Sequence, residues 1–152
     1  MIMDIELIKK LREETGAGVM DVKSALAESD GDTGKAKEIL MQKGMARAEK
    51  RAEREARNGL IHSYIHGNGD TGVLLELNCE TSFVGKTPEF EELAHELALQ
   101  IVSMNPDDVE GLLSQDYIRD TKKKVSDLIK ELVAKTGENI ELRRFVRYEL
   151  GE

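Results

Sequence analysis

The spacing of the apolar residues changes twice along this chain of 152 residues, and these changes constrain the fold more than any other feature of the sequence. Between Ile5 and Leu40, apolar residues recur every three or four positions, which is typical of amphipathic helices. At Gly59 the spacing changes to two, which is typical of strands with one buried face. At Thr87 the helical spacing returns. Helices and strands in separate stretches of sequence predict an α+β fold.

The N-terminal part predicts three short helices followed by a linker helix. The apolar faces of the three helices comprise Ile5, Ile8 and Leu11, then Val19, Val22, Ala25 and Leu26, then Ala36, Ile39 and Leu40. We expect the third helix to end at Gly44, because glycine readily adopts the left-handed conformation that ends many helices. The following stretch, 45–58, is rich in alanine and charged residues, so its helix propensity is high and its apolar stripe is thin. These changes predict three domains with the bounds 1–44, 45–58 and 59–152.

Three segments of alternating apolar residues predict a three-stranded, mostly antiparallel sheet in the last domain. The strands Leu60–His66 and Gly72–Cys79 are separated by a glycine-rich turn, which predicts a hairpin. A third strand lies near the C-terminus, and its alternation breaks at Arg144 and Phe145, where we expect a bulge or burial of both sides. We expect one face of this strand to carry Ile140, Leu142, Val146, Tyr148 and Leu150. The face of the sheet that helices do not cover is expected to carry Leu74 and Phe145 among polar residues.

Two helices are predicted between the hairpin and the final strand. The first begins at 87–88, because threonine caps helices and proline is favoured at the first helical position. It stops at the Asn-Pro pair 105–106. The second carries apolar residues at helical spacing over 125–133. The stretch 107–115 between these helices predicts a mostly polar connector.

The composition of the chain excludes several classes of partner. The net charge of −8 opposes binding to phosphate backbones, and aromatic residues, at 4%, are too few for base-stacking surfaces, so we predict no direct nucleic-acid contact. No apolar run approaches the roughly 18 residues that span a bilayer, so we predict no contact with a membrane. The one cysteine, Cys79, cannot form an intramolecular disulfide, which is typical of a cytoplasmic protein.

The sequence contains no recognisable catalytic or cofactor-binding motif. It lacks a lysine-containing phosphate loop and any readable grouping of serine, histidine and acid. His62, His66 and Cys79 are candidate metal ligands on neighbouring strands, but strand geometry separates the two histidines by roughly 13 Å. Cys79 alternates with leucines, which favours a buried thiol. We therefore predict no catalytic residues, no metal, no cofactor and a protein that is not an enzyme.

The segment 78–86 lies between a strand and a capped helix and is expected to be a loop. It places two apolar residues, Phe83 and Val84, directly after the polar Thr81 and Ser82. Such a pair either packs back on the core of its own protein or remains exposed. An exposed aromatic residue that enters a pocket on a partner can supply much of a binding energy.

Three separated segments resemble signatures of the elongation factor Ts family. Residues 7–21 resemble the opening signature of the family, residues 78–84 a second motif and residues 137–145 a third. They occur in the order of the family, and the resemblance extends over nearly the whole chain. It implies a guanine-nucleotide exchange factor whose partner is GDP-bound elongation factor Tu. It also implies that the three-helix bundle is similar to a ubiquitin-associated domain and that the chain is of a compact type with one core module.

The resemblance implies that the helical bundle docks on the GTPase domain of elongation factor Tu. Docking would use the turn between the first two helices, and the matching positions are Arg12, Val19 and Met20. Val19 stands where the family usually has a methionine.

The second motif implies which residues displace Mg²⁺ from the nucleotide site of the partner. They are Thr81, Ser82, Phe83 and Val84, and the phenylalanine is the wedge that enters the GTPase domain. Ser82 stands in place of an aspartate in the family motif, so no carboxylate is available at this position.

Two other functions fit parts of the sequence. The helical bundle by itself is compatible with a ubiquitin-like adaptor, which leaves 81–84 without a role. The basic residues of 43–57 are compatible with an RNA-binding module, although the net charge opposes this.

The small size of the predicted sheet also has a consequence for assembly. A three-stranded sheet with one uncovered face is marginally stable alone. We therefore predict a two-fold homodimer in which two copies pack sheet to sheet.

Overall fold

The computed structural model describes residues 4–152, so the first three residues of the predicted bundle lie outside the described residues. The chain has an α+β fold with the predicted order of helices, hairpin, helices and final strand. The elements are α1 (Ile5–Thr15), α2 (Val19–Glu28), α3 (Thr33–Arg51), β1 (Asn58–His66), β2 (Thr71–Cys79), α4 (Ser82–Gly85), α5 (Pro88–Met104), α6 (Val109–Ser114), β3 (Asp116–Tyr117), β4 (Asp120–Lys124), α7 (Val125–Thr136) and β5 (Ile140–Glu149). Within 4–152, none of the helices has the length and apolarity needed to cross a membrane.

The three N-terminal helices pack around a small apolar cluster of their own. This cluster consists of Ile8, Leu11, Val22, Ala25, Leu26, Ala36 and Leu40. The side chain of Asp4 caps α1 and that of Asp32 caps α3, each by accepting a backbone N–H group of the first turn. The predicted faces of the three helices are confirmed except at Ile5 and Val19, which are exposed.

The third helix does not end at Gly44, and that prediction was wrong. α3 continues beyond it as one helix, in place of the linker helix expected over 45–58, and residues 52–57 are turn and coil. Gly44 lies where α3 crosses α7, and a Cβ atom there would be 2.6 Å from the Cβ atom of Ala134. The glycine therefore permits a close helix contact instead of ending a helix. Ala48 is buried in the main core, so α3 belongs to both apolar clusters.

The three predicted strands form one antiparallel sheet in the order β1-β2-β5. One face of β2 carries Val73, Leu75, Leu77 and Cys79, and all four are buried, as the alternation predicts. The helices α5 and α7 pack against this face and complete the main core. The opposite face of the sheet, the open face, exposes Ile61, Ile65, Leu74, Val146 and Tyr148.

A bulge in β5 changes which residues reach the core. β2 pairs with Leu142 on one side of the bulge and with Arg144 on the other, so Arg143 is the extra residue. Because an extra residue reverses the alternation, Phe145 packs against the core and Val146 lies on the open face. A bulge is confirmed one residue before the predicted break at Arg144 and Phe145, but the faces predicted for Phe145 and for the apolar residues after it are wrong.

The stretch between α5 and α7 is more regular than predicted. α6 lies within the predicted polar connector 107–115, and the short hairpin of β3 and β4 follows at 116–124, where the sequence predicts no strand. The buried side chain of Gln100 donates to the carbonyl oxygen of Asp116 (3.0 Å) and accepts the backbone N–H group of Ile118 (3.0 Å). These bonds attach a polar hairpin to α5, and apolar spacing does not mark such a hairpin.

Candidate protein-binding site

The segment predicted to be a loop contains a one-turn helix, α4, between β2 and α5. The side chain of Thr81 caps α4 by accepting the backbone N–H group of Val84 (3.4 Å). The hydroxyl of Thr87 donates to the carbonyl oxygen of Val84 (2.8 Å) and accepts the backbone N–H group of Phe90 (3.3 Å). Thr87 therefore stabilises the end of α4 and the start of α5, where Pro88 occupies the first helical position as predicted.

Phe83 and Val84 differ in their exposure to solvent. Phe83 is 85% exposed, whereas Val84 packs against the main core. The other two phenylalanines, Phe90 and Phe145, contribute to the same core. Of the two alternatives for the apolar pair, packing on the core therefore holds for Val84 and exposure holds for Phe83.

Small residues beneath α4 allow it to lie close to the sheet. A Cβ atom on Gly85 would be 3.1 Å from the Cα atom of Gly59 and 3.3 Å from the Sγ atom of Cys79. Cys79 is buried, as predicted, and its thiol donates to the carbonyl oxygen of Thr81 (3.0 Å). Burial raises the pKa of the Cys79 thiol and the nearby Glu138 carboxylate raises it further, so the thiol stays protonated. Cys79 thus packs as a small apolar group.

The carboxylate of Glu138 binds the segment that leads into α4. Its Oε1 atom accepts the backbone N–H groups of Glu80 (3.1 Å) and Thr81 (2.9 Å). Its Oε2 atom accepts the hydroxyl of Thr81 (2.6 Å). Glu138 directly follows Gly137, which ends α7 in the left-handed conformation. Sequence reasoning missed Glu138, because no local spacing marks a contact between residues 57 positions apart.

Asn139 and Glu80 extend this hydrogen-bond network to the coil after α3. The side chain of Asn139 is buried and donates to the carbonyl oxygens of Arg54 (2.6 Å) and Ala52 (3.4 Å). Its backbone N–H group donates to the carboxylate of Glu80 (2.7 Å). The side chain of Asn58 donates to the backbone carbonyl of Glu80 (2.8 Å). The coil after α3, the end of β2 and the start of β5 are therefore joined at the base of α4.

The three positions that the resemblance assigns to docking lie around the turn between α1 and α2. Met20 is 76% exposed and Val19 is 38% exposed, so neither is required for the apolar cluster of the bundle. Arg12 is also exposed, and its Nε atom donates across the turn to the carbonyl oxygen of Ala17 (3.4 Å). The structure thus brings the three positions to one turn.

The stretch 135–138, at the C-terminal end of α7, lies against the turn between α1 and α2 and against the segment that leads into α4. Gly16, in the turn between α1 and α2, has a φ angle of 71°, and a Cβ atom there would be 2.5 Å from the carbonyl oxygen of Lys135. Three residues further along the chain, Glu138 binds Thr81. The turn and α4 are therefore supported by the same short stretch, 135–138.

The candidate metal ligands of β1 lie among aromatic rings. The ring of His62 is 5.6 Å from that of His95 in α5, and the ring of His95 is 5.3 Å from that of Tyr64, both in edge-to-face geometry. Burial lowers the pKa of His62, the charge of His95 lowers it further, and Glu91 opposes this shift. In the described part of the chain, no three histidine, cysteine or acidic residues are grouped so that they could hold a metal ion.

The fold and the candidate site define a small α+β protein that carries an exposed aromatic residue on a short, firmly anchored helix. Comparison with known proteins identifies its family. A family model described as elongation factor TS matches residues 80–152. The chain is 48% identical to elongation factor Ts of Thermotoga neapolitana, over 100% of this chain and 99% of that protein. It is 45% identical to elongation factor Ts of Coprothermobacter proteolyticus, over 100% of both chains. This chain belongs to the elongation factor Ts family.

The two relatives are longer than this chain. The alignments extend over 195 and 197 positions against 152 residues here, so both relatives contain residues that this chain lacks. The similarity nevertheless extends over the whole chain, from the helical bundle to the final strand.

Proposed function

We propose that this protein is the guanine-nucleotide exchange factor for elongation factor Tu and that it promotes GDP release by displacing Mg²⁺ and distorting the nucleotide site. Membership of the elongation factor Ts family supports the exchange role. The observation that supports the mechanism is the 85% exposure of Phe83 on a helix that is anchored at both ends. Binding to a partner would bury this side chain and so stabilise the complex.

The coordination chemistry of Mg²⁺ makes an inserted side chain an effective means of releasing a nucleotide. Mg²⁺ requires a nearly ideal octahedral shell, so a small displacement of its ligands weakens its binding. A side chain that fits only the distorted site stabilises that state, and the factor then weakens GDP binding as much as GDP weakens binding of the factor. Burial of one phenylalanine stabilises a complex by about 1.5–3 kcal/mol, which corresponds to about one to two decades in affinity.

We infer separate roles for the two groups of site residues. The helical bundle, which we propose to be ubiquitin-associated-like, docks on the partner through Arg12, Val19 and Met20. The α+β part acts on the nucleotide site through α4. Within that helix Thr81 is the cap, Phe83 is the wedge and Val84 attaches the helix to the core; Ser82 is exposed and supplies no charge.

Release of a fluorescent GDP analogue from elongation factor Tu, followed by stopped flow, tests this function. We expect the release rate to rise with the concentration of the protein and to reach a plateau. The variant Arg12→Ala/Met20→Ala is expected to need a higher concentration for half-saturation and to reach the same plateau, because only docking is weakened. A release rate that stays at its spontaneous value at all concentrations would contradict the proposed function.

We also propose that the protein forms a two-fold homodimer through the open face. Exposed apolar residues occur on all three strands of this face, and Arg144 and Glu76 form an ion pair on it (2.9 Å). Two copies packed face to face would cover both sheets and bury these apolar side chains.

A further inference from the structure

We propose that Glu138 is a positioning residue for the exchange wedge: its carboxylate fixes the segment 80–81 and thereby holds α4 and Phe83 in the conformation that acts on the partner. This inference rests on the proposed function of Phe83. Glu138 is distant from Phe83 in sequence and acts through Thr81 rather than by contact with the nucleotide site.

α4 is too short to be stable by itself. A helix of four residues is far shorter than the roughly 12–15 residues at which isolated helices become stable in water, so its conformation depends on what holds its ends. Phe83 is exposed and contributes little packing to hold the helix. The start of α4 is therefore fixed by Thr81, and Thr81 is in turn held by Glu138 through its backbone and its hydroxyl.

Glu138 forms several short hydrogen bonds to the segment that leads into α4. Its two oxygen atoms accept three hydrogen bonds from the segment 80–81, with lengths of 3.1, 2.9 and 2.6 Å. An ionised acceptor forms shorter and stronger hydrogen bonds than a neutral one. The hydroxyl of Thr81 that donates to Glu138 uses the same oxygen to cap Val84. The hydrogen bonds that Glu138 accepts from Thr81 therefore also orient the hydroxyl that caps α4.

Glu138 is itself held in place by its neighbours in the chain. The backbone N–H group of Glu138 donates to the hydroxyl of Thr136 (3.3 Å) at the end of α7. On its other side, Asn139 is buried and is bonded to Arg54, Ala52 and the carboxylate of Glu80. A carboxylate attached to such a fixed backbone sets the position of the segment that it binds.

The ordering of Phe83 is expected to affect the rate of nucleotide release more than it affects docking. When α4 is ordered before the complex forms, the partner does not have to order it during binding, and this preorganisation favours the distorted state. Docking through the bundle does not involve Glu138. Its loss is therefore expected to lower the maximal rate of release and to leave the half-saturating concentration nearly unchanged.

The kinetic test compares Glu138→Ala, Glu138→Gln and the control Glu110→Ala, an exposed glutamate on α6. We expect Glu138→Ala to lower the plateau rate of GDP release by about tenfold, the equivalent of losing one hydrogen bond to a charged group, while half-saturation changes by less than about twofold. Glu138→Gln retains an acceptor oxygen for the two backbone N–H groups and is expected to restore most of the rate. Glu110→Ala is expected to behave like the parent protein.

A second readout follows Phe83 without any partner. The chain has three phenylalanines, so incorporation of fluorophenylalanine gives three ¹⁹F signals, and Phe83→Leu assigns one of them. We expect Glu138→Ala to change the Phe83 signal and to leave those of Phe90 and Phe145 in place. A substitution that only destabilised the fold would change the signals of Phe90 and Phe145 as well.

The outcomes distinguish this inference from the proposed function. If the parent protein fails to release GDP, the proposed function is contradicted, and the ¹⁹F spectra still show whether Glu138 orders Phe83. An unchanged plateau rate and an unchanged Phe83 signal in Glu138→Ala would overturn the positioning role. If Glu138→Ala does not fold, Glu138→Asp decides: its shorter side chain withdraws the carboxylate from Thr81, so it should lower the plateau rate and change the Phe83 signal, and a Glu138→Asp variant that behaves like the parent overturns the inference.

Discussion

Two side-chain nitrogen atoms are buried without a hydrogen-bond partner in the described range 4–152: Nε2 of His62 and Nε of Arg147. The guanidinium of Arg147 has other partners, since it donates to the carbonyl oxygen of Val102 (3.2 Å) and lies near the carboxylate of Glu149 (3.5 Å). The carbonyl of Val102 belongs to the last turn of α5, where a positive charge is stabilising. His62 instead lies beside another histidine, so its environment favours the neutral ring.

We predict that His62 makes the folded state less stable in mild acid. Burial and the charge of His95 lower the pKa of His62 in the folded protein, against an ordinary value of 6.5, while Glu91 opposes the shift. As the pH falls below that ordinary value, the unfolded chain binds a proton that the folded chain does not, so the free energy of unfolding decreases until the folded form is protonated too. We expect the free energy of unfolding, measured with urea, to fall less between about pH 7.5 and about pH 5 in His62→Gln than in the parent. The control Asn68→Gln, in the exposed turn between β1 and β2, should lose as much stability as the parent; equal losses in all three proteins would refute the assignment.

The contact between α3 and α7 joins the bundle to the core. α3 supplies buried residues to both apolar clusters, and a Cβ atom on Gly44 would be 2.6 Å from the Cβ atom of Ala134 in α7. Because the bundle and the core share this helix, the orientation of the turn between α1 and α2 relative to α4 depends on how closely α3 and α7 pack.

We predict that Gly44→Ala strains this contact and that Ala134→Gly relieves the strain. Alanine favours a helix over glycine by about 1 kcal/mol, but a Cβ atom 2.6 Å from that of Ala134 forces the helices apart, and overpacking of this kind costs about 1–3 kcal/mol. The double variant keeps one Cβ atom at the crossing, so it should be more stable than the sum of the single changes indicates. Thermal or urea unfolding of the four proteins gives the coupling energy, and strictly additive effects would refute the predicted contact.

Some elements of the fold can be predicted from the sequence, and others cannot. The helices of the bundle, the hairpin and the start of α5 follow from apolar spacing and caps, because these signals are local. Gly44 was misinterpreted because a glycine at a helix crossing has the same local sequence as a glycine at a helix end. The hairpin of β3 and β4 is held by the distant, buried Gln100, and Glu138 contacts Thr81, which is also distant in the sequence. Contacts between distant residues leave no local signal in the sequence. Exposure of Phe83 also required the structure, since an apolar pair on a loop fits either a core or a binding surface.

At the scale of the whole molecule, the open face and α4 are two separate exposed apolar features. The open face carries apolar residues spread over three strands, as expected of a broad contact between sheets. α4 carries one isolated aromatic residue, as expected of a side chain that enters a pocket. The proposed homodimer uses the first feature and the proposed exchange activity uses the second, so the two proposals can be tested independently.

We predict that Leu74→Glu prevents dimer formation. Leu74 is 47% exposed at the middle strand of the open face, and a two-fold axis would bring two introduced carboxylates close together in an apolar contact. Light scattering after gel filtration should give roughly twice 17.0 kDa for the parent and 17.0 kDa for the variant. Ile118→Glu, at an exposed apolar position on the β3–β4 turn, should remain dimeric. A parent protein with the monomer mass throughout a dilution series would rule out the dimer.

The most direct test of the account is the rate of GDP release from elongation factor Tu at saturating concentrations of Phe83→Ala. We expect a release rate lower by about tenfold or more, because the contact energy of one buried phenylalanine is lost. Binding by the bundle and the melting temperature should stay near those of the parent. Met104→Ala, at a half-exposed apolar residue at the far end of α5, a helix about 25 Å long, should release GDP like the parent. Undiminished release by a folded Phe83→Ala variant, or a loss of folding in that variant, would contradict the assignment of Phe83 as the wedge.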